Sequence, residues 1–361
     1  MNVMVLRANA RTCGYTAALT DLFVKGLRAG GAAVDEARLA ELDLRHCTGC
    51  YHCWLVTPGV CIHRDDMPGL IERLRGADIA VFCSPLNSYG VSSHLKVFMD
   101  RTLACTKEGF ATTRAGLVRN ANRDPARWPR RLAYLLVGAF KPVRTFEAAV
   151  RTMELYADGI DCECAGGIVR PESYLLPFRF AKPRTVKTIE TAIEQAGYEL
   201  ASAGSFDPGT IARAQSPLSS DIDHFQRYAN IFWEHARRMG AAALDLDAVR
   251  AAVESDARVL MSEMARSCDP LATARLRAVF QFDFPDRELH FRITVRDGAA
   301  AIEQAASERC DLRVTVSSDT WAKVFKREIS ARDALVDGRI RLTGDKALFS
   351  RLDRYFPPPS M

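Results

Sequence analysis

Four of the chain's eleven cysteines lie between residues 46 and 61, in the segment HCTGCYHCWLVTPGVC. Cys47, Cys50, Cys53 and Cys61 give the spacing C-x2-C-x2-C-x7-C. Three thiolates at intervals of two residues can surround one iron–sulfur cluster, and a fourth thiolate from slightly downstream completes the ligand set. The spacing therefore favours a [4Fe-4S] cluster bound by these four cysteines.

Two other interpretations of these cysteines stay open. Zinc usually takes its ligands as two pairs separated by a longer gap, so it fits this spacing less well. The thiols can also be reactive or merely structural, without any metal. The remaining seven cysteines show no comparable spacing; they are Cys13, Cys83, Cys105, Cys162, Cys164, Cys268 and Cys310.

The segment LRANARTCGYT follows the first predicted strand and leads into a helical pattern. A helix N-terminus offers unpaired backbone N–H groups and a partial positive charge, which suit a phosphate. Asn9, Arg11 and Thr16 add side-chain donors, and Gly14 lets the backbone approach a ligand closely. The loop matches neither the Walker motif nor G-x-G-x-x-G. A phosphate site and an ordinary strand-to-helix turn explain it equally well.

A second loop, SPLNSYGVSSHLKVFMDR, spans residues 84 to 101 after another predicted strand. A turn that begins with proline and carries small polar residues and one tyrosine can border a flat ring. Asn87, Tyr89 and His94 are candidates for lining such a pocket, although His94 also suits the surface at a helix start. Arg101 is expected to be a surface charge.

Short apolar runs alternate with amphipathic helical patterns through the first half of the chain. Strands are expected at residues 2–6, 78–86 and 131–140, with a further strand in AAVDEARLAEL. Strands separated by helices predict a parallel sheet covered on both faces. Such a sheet binds ligands at the carboxyl ends of its strands, where both loops described above begin.

The composition changes near residue 242. Residues 245–266 have helical periodicity throughout and are expected to form one helix. The segments LRAVFQFDF and ELHFRITVRDG alternate apolar and polar residues, with a turn at Asp297 and Gly298. This pattern predicts a separate α+β unit.

The overall charge and hydropathy exclude some classes of function. A formal net charge of +5 is too small to indicate nucleic-acid binding, and the arginine-rich segment 119–131 is expected to be a solvated loop. Neither a membrane span of about 20 apolar residues nor a signal peptide is recognisable. A cytoplasmic location is therefore expected, where thiols stay reduced and clustered cysteines favour metal over disulfides.

Three segments together resemble the NADPH-dependent FMN reductase branch of the flavodoxin-like proteins, and within it the iron–sulfur flavoproteins. That family has a G-S-P-R-x-x-G-N-T phosphate loop, a compact cysteine motif running into D-D-M, and S-P-x-Y followed by L-K-x-F-x-D-R. The corresponding segments here are ANARTCGYT, CTGCYHCWLVTPGVCIHRDDM and SPLNSYGVSSHLKVFMDR. The resemblance covers about residues 1–240 and implies a doubly wound parallel sheet with bound FMN, a [4Fe-4S] cluster, and a homodimer or tetramer.

The resemblance also implies which residues contact FMN, in the two loops that begin at the strand ends. Asn87 replaces the family's aromatic residue beside the flavin ring, which suggests a reshaped pocket with Tyr89 as the ring's neighbour. In the phosphate loop Ala8, Asn9, Ala10 and Tyr15 replace Gly, Ser, Pro and Asn. The implied FMN-binding residues are Asn9, Arg11, Gly14, Tyr15, Thr16, Pro85, Leu86, Asn87, Ser88, Tyr89 and Gly90.

The C-terminal segment CDLRVTVSSDTWAKVFKREISARDALVDGRIRLTGDKALFSRL resembles a sterol carrier protein type-2 domain. That resemblance implies an apolar tunnel for lipids or similar ligands, although a dry structural core would use the same residues. Two domains are thus expected. Residues 1–241 would form the flavodoxin-like domain, with its cysteine loop at about 46–67 and a helical extension, and residues 242–361 the sterol-carrier-like domain.

These features predict an FMN-dependent oxidoreductase with a [4Fe-4S] cluster, taking electrons from NAD(P)H or a ferredoxin-type donor and acting on a small apolar or aromatic substrate. Two alternatives stay open. One is a carrier of hydrophobic ligands with a vestigial flavodoxin-like half. The other is a flavin or quinone reductase that uses NAD(P)H and has no cluster.

Overall fold

The computed structural model describes residues 1–113, 116–176, 183–240 and 245–357. The chain divides into two compact units, and the first consists of Met1–Leu176 and Thr185–Ile222. The second unit takes in the chain from Asp223 onward. The domain boundary expected after residue 241 falls outside the described residues and stays a prediction.

The first unit is built around a five-stranded parallel sheet with the strand order β2-β1-β3-β6-β7. Counted within the sheet alone, this order is 2-1-3-4-5, that of flavodoxin-like folds, so the expected fold class is confirmed. Its strands are β1 (Asn2–Arg7), β2 (Ala33–Arg38), β3 (Ile79–Pro85), β6 (Arg131–Val137) and β7 (Glu163–Arg170), and an antiparallel hairpin adds β4 (Thr106–Thr112) and β5 (Val118–Asn122). Its helices are α1 (Tyr15–Ala29), α2 (His52–Leu55), α3 (Met67–Arg75), α4 (Ser93–Arg101), α5 (Glu147–Gly159), α6 (Pro183–Ala203) and α7 (Pro208–Ala214).

Three strands of the sheet are the short apolar runs recognised in the sequence. β1, β3 and β6 are buried along almost their whole length, because a parallel sheet is covered on both faces and its strands are therefore apolar throughout. The solvated loop expected at 119–131 is wrong in part, because β5 occupies its start and the side chain of Trp128 is buried.

Helices α1 and α6 touch through glycines. A Cβ atom at Gly26 would lie 1.8 Å from the backbone oxygen of Glu194, and one at Gly197 would lie 2.0 Å from that of Phe23. No side chain fits at either position, so the two backbones are in direct contact. This contact fixes the position of α1, whose first turn faces the carboxyl edge of the sheet.

The second unit has a five-stranded sheet with the order β10-β9-β8-β11-β12. The alternating phenylalanines of β8 are fully buried, as the sequence pattern predicted, and Asp297 and Gly298 form the next turn at positive φ. The single helix expected at 245–266 is wrong, because the chain forms two helices there. The strands are β8 (Ala278–Phe284), β9 (Leu289–Arg296), β10 (Ala299–Glu303), β11 (Leu312–Val316) and β12 (Ile340–Gly344); the helices are α8 (Ile222–Met239), α9 (Leu246–Glu254), α10 (Ala257–Arg266), α11 (Pro270–Thr273), α12 (Ser318–Phe325), α13 (Ala331–Val336), α14 (Lys346–Phe349) and α15 (Leu352–Tyr355).

Among the described residues, none of the helices combines the length and the hydropathy that a membrane span requires.

Candidate functional site

The loops that leave the carboxyl ends of β1 and β3 are joined by hydrogen bonds to each other and to the end of β6. The backbone N–H of Ala8 donates to the carbonyl of Cys83 at 2.8 Å, and the Ser92 hydroxyl donates to the carbonyl of Ala8 at 2.8 Å. The backbone N–H of Leu86 donates to the carbonyl of Val137 at 2.8 Å. The structure therefore brings together the two loops that the sequence singled out, and adds the end of β6.

The first loop ends at a helix start that no side chain caps. Gly14 occupies the N-cap position of α1 with φ 132°, and a Cβ atom there would meet nothing within 4 Å. The first backbone N–H groups of α1 thus border open space, as an anion site requires. Arg11 is exposed beside them, while Thr16 is buried in the first turn.

The Asn9 side chain forms a hydrogen bond within this loop. Its side-chain amide donates to the carbonyl of Arg11 at 2.6 Å, which holds the loop in its curve. The other side-chain atom, Oδ1, is buried without a hydrogen-bond partner among the described residues. A donor from a bound ligand or water would satisfy this oxygen. The role of Asn9 toward FMN stays a prediction.

Sequence reasoning missed Tyr174, which lies near the same loop. It belongs to a short 3-10 helix, Ser173–Leu175, that follows β7. Burial raises the pKa of the Tyr174 phenol, and the positive charge of Arg11 partly opposes that rise. Nothing in the local sequence marks Tyr174, because its position depends on a strand at the far edge of the sheet.

The second loop contains a tight turn that presents an aromatic side chain. Asn87 and Gly90 exchange backbone hydrogen bonds of 3.0 and 2.9 Å, and Ser88 and Tyr89 between them have φ values of 47° and 65°. The Tyr89 ring is 58% exposed and lies 6.1 Å from the ring of Phe140, with an interplanar angle of 31°. Phe140 belongs to the loop after β6 and was not singled out from the sequence.

His94 is the second residue of α4 and is partly buried. Among the described residues its ring makes no hydrogen bond or ion pair. Pro85 ends β3, and Leu86 packs against the core below the turn. Contact of His94, Pro85 or Leu86 with a ligand stays a prediction.

The four clustered cysteines differ in how deeply they are buried. Cys53 is buried in α2, Cys61 is partly buried, and Cys47 and Cys50 are exposed. Burial raises the pKa of Cys53, and the electrostatic influence of Cys61, Cys47 and Cys50 raises it further. All eleven cysteines are free thiols. The other three clustered cysteines therefore influence the ionisation of Cys53.

The chemistry of the four clustered thiols suits an iron–sulfur cluster, but the structure does not hold them in the positions that a cluster requires. Hydrogen bonds from the backbone N–H of His52 and from Thr48 lower the pKa of the exposed Cys50, which favours the thiolate that binds metals. Within the part of the chain that the structure describes, however, no three Cys, His, Asp or Glu side chains are placed to bind one metal ion. Binding would require the exposed Cys47 and Cys50 to move toward Cys53.

The ends of the cysteine loop are fastened by a buried ion pair. The expectation that Arg101 is a surface charge is wrong, because its side chain is 1% exposed and pairs with the fully buried carboxylate of Asp65. Arg101 also donates to the carbonyl of Arg45 at 2.6 Å, and Asp65 accepts from the Arg45 backbone N–H at 3.1 Å. Burial by itself would lower the pKa of Arg101, but its interactions with Asp65 and Cys61 outweigh burial and raise it.

The second unit contains an apolar cavity of about 880 Å³. Such a cavity was expected in the C-terminal part of the chain, and its volume is within the usual range for ligand sites. Three cationic side chains, Arg327, Arg332 and Lys346, lie in its wall. The apolar side chains that line it are Met264, Trp321, Val324, Phe325, Ile329, Ala331, Leu335, Leu342, Phe349, Leu352 and Phe356.

Two family models match the chain. Residues 1–123 match the family of NADPH-dependent FMN reductases, as the loop motifs predicted. Residues 253–360 match the alkyl sulfatase C-terminal family. The expectation of a sterol carrier protein type-2 domain in this part of the chain is therefore wrong.

Curated relatives match the N-terminal part. An iron–sulfur flavoprotein of Archaeoglobus fulgidus is 28% identical over 103 residues, which are 28% of this chain and 46% of the relative. One from Methanocaldococcus jannaschii is 29% identical over 102 residues, 28% of this chain and 52% of the relative. The chain thus spans about half the length of these curated relatives.

Solved structures also resemble the chain at low identity. An NAD(P)H:quinone oxidoreductase from Methanothermobacter marburgensis is 15% identical with a TM-score of 0.42, covering 55% of this chain and 96% of the other. An FMN-dependent NADH-azoreductase from Bacillus anthracis, in complex with FMN, is 15% identical with a TM-score of 0.43. The similarity covers 55% of this chain and 99% of the azoreductase. The chain is similar to NADPH-dependent FMN reductases over residues 1–123 and to the C-terminal region of alkyl sulfatases over residues 253–360.

Proposed function

We propose that this protein is an FMN-dependent oxidoreductase that takes electrons from NAD(P)H or a ferredoxin-type donor. The observation that carries this proposal is the joining of the loops after β1 and β3, to each other and to the end of β6, beside the uncapped start of α1. An anion site and an exposed aromatic turn then lie on one edge of a flavodoxin-like sheet. The match to the NADPH-dependent FMN reductase family supports the same conclusion.

In this proposal the chain binds and orients the cofactor. The backbone N–H groups at the start of α1 bind the phosphate, and the exposed Arg11 adds a positive charge. Residues 85–90 border the flat ring, with Tyr89 as its aromatic neighbour. FMN supplies the hydride or single-electron chemistry when it is bound. The residues proposed to contact FMN are Asn9, Arg11, Gly14, Tyr15, Thr16, Pro85, Leu86, Asn87, Ser88, Tyr89 and Gly90.

The proposed second redox centre is a [4Fe-4S] cluster held by Cys47, Cys50, Cys53 and Cys61. Two observations support it: the spacing of the thiols, and the similarity to proteins named iron–sulfur flavoproteins. The exposed positions of Cys47 and Cys50 leave them free to move inward around a metal.

Protein purified without oxygen tests both cofactors. We expect a flavin absorption spectrum and about four irons and four sulfides per chain. Cys50→Ser should lose the iron and keep the flavin, whereas Cys268→Ser, in the second unit, should keep both. If the wild-type protein contains flavin but no iron, the cluster is rejected and a cluster-free reductase is the function that remains. Protein without flavin would reject the oxidoreductase.

A second candidate function, carried by the cavity, is the binding of a small hydrophobic or aromatic molecule by the C-terminal unit. We propose that this cavity holds the substrate class on which the flavin acts. The neighbours Leu335 and Val336 provide a matched test, because Leu335 lines the cavity and Val336 is 80% exposed. Leu335→Asp should abolish binding of the neutral fluorophore N-phenyl-1-naphthylamine, and Val336→Asp should not. Equal binding by both variants would reject the cavity as the site.

Self-association is the third part of the proposal. Large apolar side chains are exposed on the cysteine loop and on the β4–β5 hairpin, including Leu55, Val56, Phe110 and Val118. Exposed apolar surface of this kind is typical of protein–protein contacts. We propose a homodimer or tetramer, which light scattering of the full chain would detect; a monomer would reject it. A cytoplasmic location stays a prediction.

A further inference from the structure

A cavity of about 360 Å³ lies at the amino end of β7. Its wall is formed by the end of α5, the start of β7 and Leu117 of the β4–β5 hairpin. The volume is within the usual range for small-molecule sites. The proposed oxidoreductase does not use this cavity, because ligands of such a sheet bind at the carboxyl ends of the strands, on the opposite edge.

Four carboxylates line the cavity, and three of them are paired with arginines. The pairs are Arg151–Glu154 at 3.0 Å, Arg131–Glu163 at 3.1 Å and Arg119–Asp161. Among the residues that the structure describes, no cation pairs with the fourth carboxylate, Asp158, and its Oδ2 atom is buried without a hydrogen bond. The cavity wall therefore carries one negative charge that nothing neutralises.

The position of Asp158 makes this unpaired charge unfavourable. Asp158 lies in the last turn of α5, where the helix dipole adds partial negative charge, and this turn contains no basic residue. Glu154, four residues earlier, presents another carboxylate on the same face of the helix. A carboxylate in such surroundings lowers the stability of the free protein. A cation bound in the cavity would remove this cost.

A second oxygen at this place also lacks a donor. Asn122, at the end of β5, is only 7% exposed, and its Oδ1 atom has no hydrogen-bond partner within the described part of the chain. Its amide group reaches the cavity wall, because Nδ2 donates to the Asp161 carboxylate at 3.1 Å. Buried acceptors are usually satisfied. An ammonium group, with three N–H donors and a positive charge, suits both oxygens.

The rest of the wall favours an organic cation over a metal ion. Leu117 and Leu155 are 42% and 41% exposed and offer contacts to a short apolar body. Burial raises the pKa of the Cys162 thiol to about 12, so it stays protonated at neutral pH and is no metal-binding thiolate. Among the described residues, no three Cys, His, Asp or Glu side chains are placed to bind one metal ion.

We infer that this cavity binds a small organic cation, whose ammonium group lies at Asp158 and Asn122 and whose apolar body packs against Leu117 and Leu155. The class of ligand is a primary amine that carries a short hydrocarbon chain or a single ring. The site is separate from the candidate flavin loops, which lie at the carboxyl ends of the strands. The inference therefore holds whether or not the chain binds FMN.

Calorimetric titration of the full chain with benzylamine tests the charge of the ligand. Benzylamine is a cation at neutral pH, and benzyl alcohol has nearly the same shape without the charge. We expect the wild type to bind benzylamine about 10-fold more tightly than benzyl alcohol, because a hydrogen bond between two charged groups is stronger than one to a neutral donor.

Two variants on the same helix test the position of the site. Asp158→Asn should weaken benzylamine binding about 10-fold and raise the melting temperature of the free protein by about 1–4 °C, because it removes the unpaired charge from the end of α5. Glu147→Gln removes an exposed carboxylate at the other end of α5 and should leave benzylamine binding unchanged.

Two results would overturn the inference. If the wild type binds benzylamine no more tightly than benzyl alcohol, or binds neither, the cavity selects no cation and water alone satisfies Asp158 and Asn122. If Asp158→Asn binds benzylamine as tightly as Glu147→Gln does, the amine binds elsewhere on the protein. The melting temperatures show that both variants are folded when the comparison is made.

Discussion

Arg101 and Asp65 form a bidentate ion pair in which Nη1–Oδ2 is 2.5 Å and Nη2–Oδ1 is 3.0 Å, and neither side chain is more than 1% exposed. Arg101 ends α4, and Asp65 lies near the end of the cysteine loop. Both also bind the backbone of Arg45, which precedes that loop. The two ends of the cysteine loop therefore meet at one buried pair of charges.

Asp65→Asn should open the cysteine loop. The substitution leaves the Arg101 charge buried without its counter-ion, and removing one partner of a buried pair costs about 3–5 kcal/mol. We expect the free energy of unfolding in urea to fall by that amount, and limited proteolysis between residues 46 and 64 to become faster.

Lys96→Gln is the control for this prediction, because Lys96 lies on the same helix and forms an exposed ion pair with Asp100. Its loss should change the free energy of unfolding by less than about 1 kcal/mol. Equal cleavage of the loop in Asp65→Asn and Lys96→Gln would show that the buried pair does not fasten it.

Asp256 should make the second unit sensitive to acid. Burial by itself would raise the pKa of this carboxylate, but hydrogen bonds from His235 and Arg258 outweigh burial and hold it well below its ordinary value. The stabilisation is complete above the unfolded pKa of 3.8 and is lost progressively as the pH falls below it, because the unfolded chain then binds the proton first.

Thermal unfolding between pH 6 and pH 3 checks this prediction. The melting temperature of the wild type should fall more steeply below pH 4 than that of Asp256→Asn, which has no carboxylate to protonate at that position. Asp247→Asn is the control, since the Asp247 side chain is 88% exposed. An identical acid profile for the wild type and Asp256→Asn would contradict the assignment.

The sequence predicted the parts of the fold that depend on local pattern. β1, β3 and β6 are continuous apolar runs, and their order along the chain with intervening helices indicates a parallel sheet whose ligand edge is known in advance. The cysteine spacing and the two loop motifs are also local. Residues in these segments could therefore be named before the structure.

Features that depend on distant parts of the chain could not be predicted. Arg101 is buried only because Asp65 lies opposite it, and an arginine on a helix is usually exposed. The Phe140 ring lies beside that of Tyr89, which belongs to a turn much earlier in the chain. The helical pattern at 245–266 is continuous, yet Asp256 caps a new helix by accepting from the Arg258 N–H, which a periodicity pattern does not reveal.

Gly197→Ala should separate α1 from α6. The added methyl group would lie 2.0 Å from the backbone oxygen of Phe23, so the helices must move apart, at a cost of about 1–3 kcal/mol or more. Gly69→Ala is the matched control, because Gly69 lies in α3 with open space around it, and alanine there should stabilise the helix by about 0.5–1 kcal/mol. Urea unfolding of both variants measures the difference. If Gly197→Ala loses no stability, the close contact between α1 and α6 is contradicted.

Ser92 joins the two candidate FMN loops, and its removal should weaken the site without unfolding the protein. The buried Ser92 hydroxyl donates to the carbonyl of Ala8 and accepts from the backbone N–H of Leu95 at the start of α4. Ser92→Ala loses both bonds and should cost about 1–2 kcal/mol of unfolding free energy.

Because the first loop then loses its tie to the second, FMN binding should weaken about 3–10-fold in Ser92→Ala, as measured by flavin fluorescence quenching. The next residue, Ser93, is exposed and provides the control: Ser93→Ala should keep both stability and affinity. If Ser92→Ala loses stability but binds FMN as tightly as Ser93→Ala, the hydrogen bond to Ala8 supports the helix start alone, and the loops hold the flavin independently of each other.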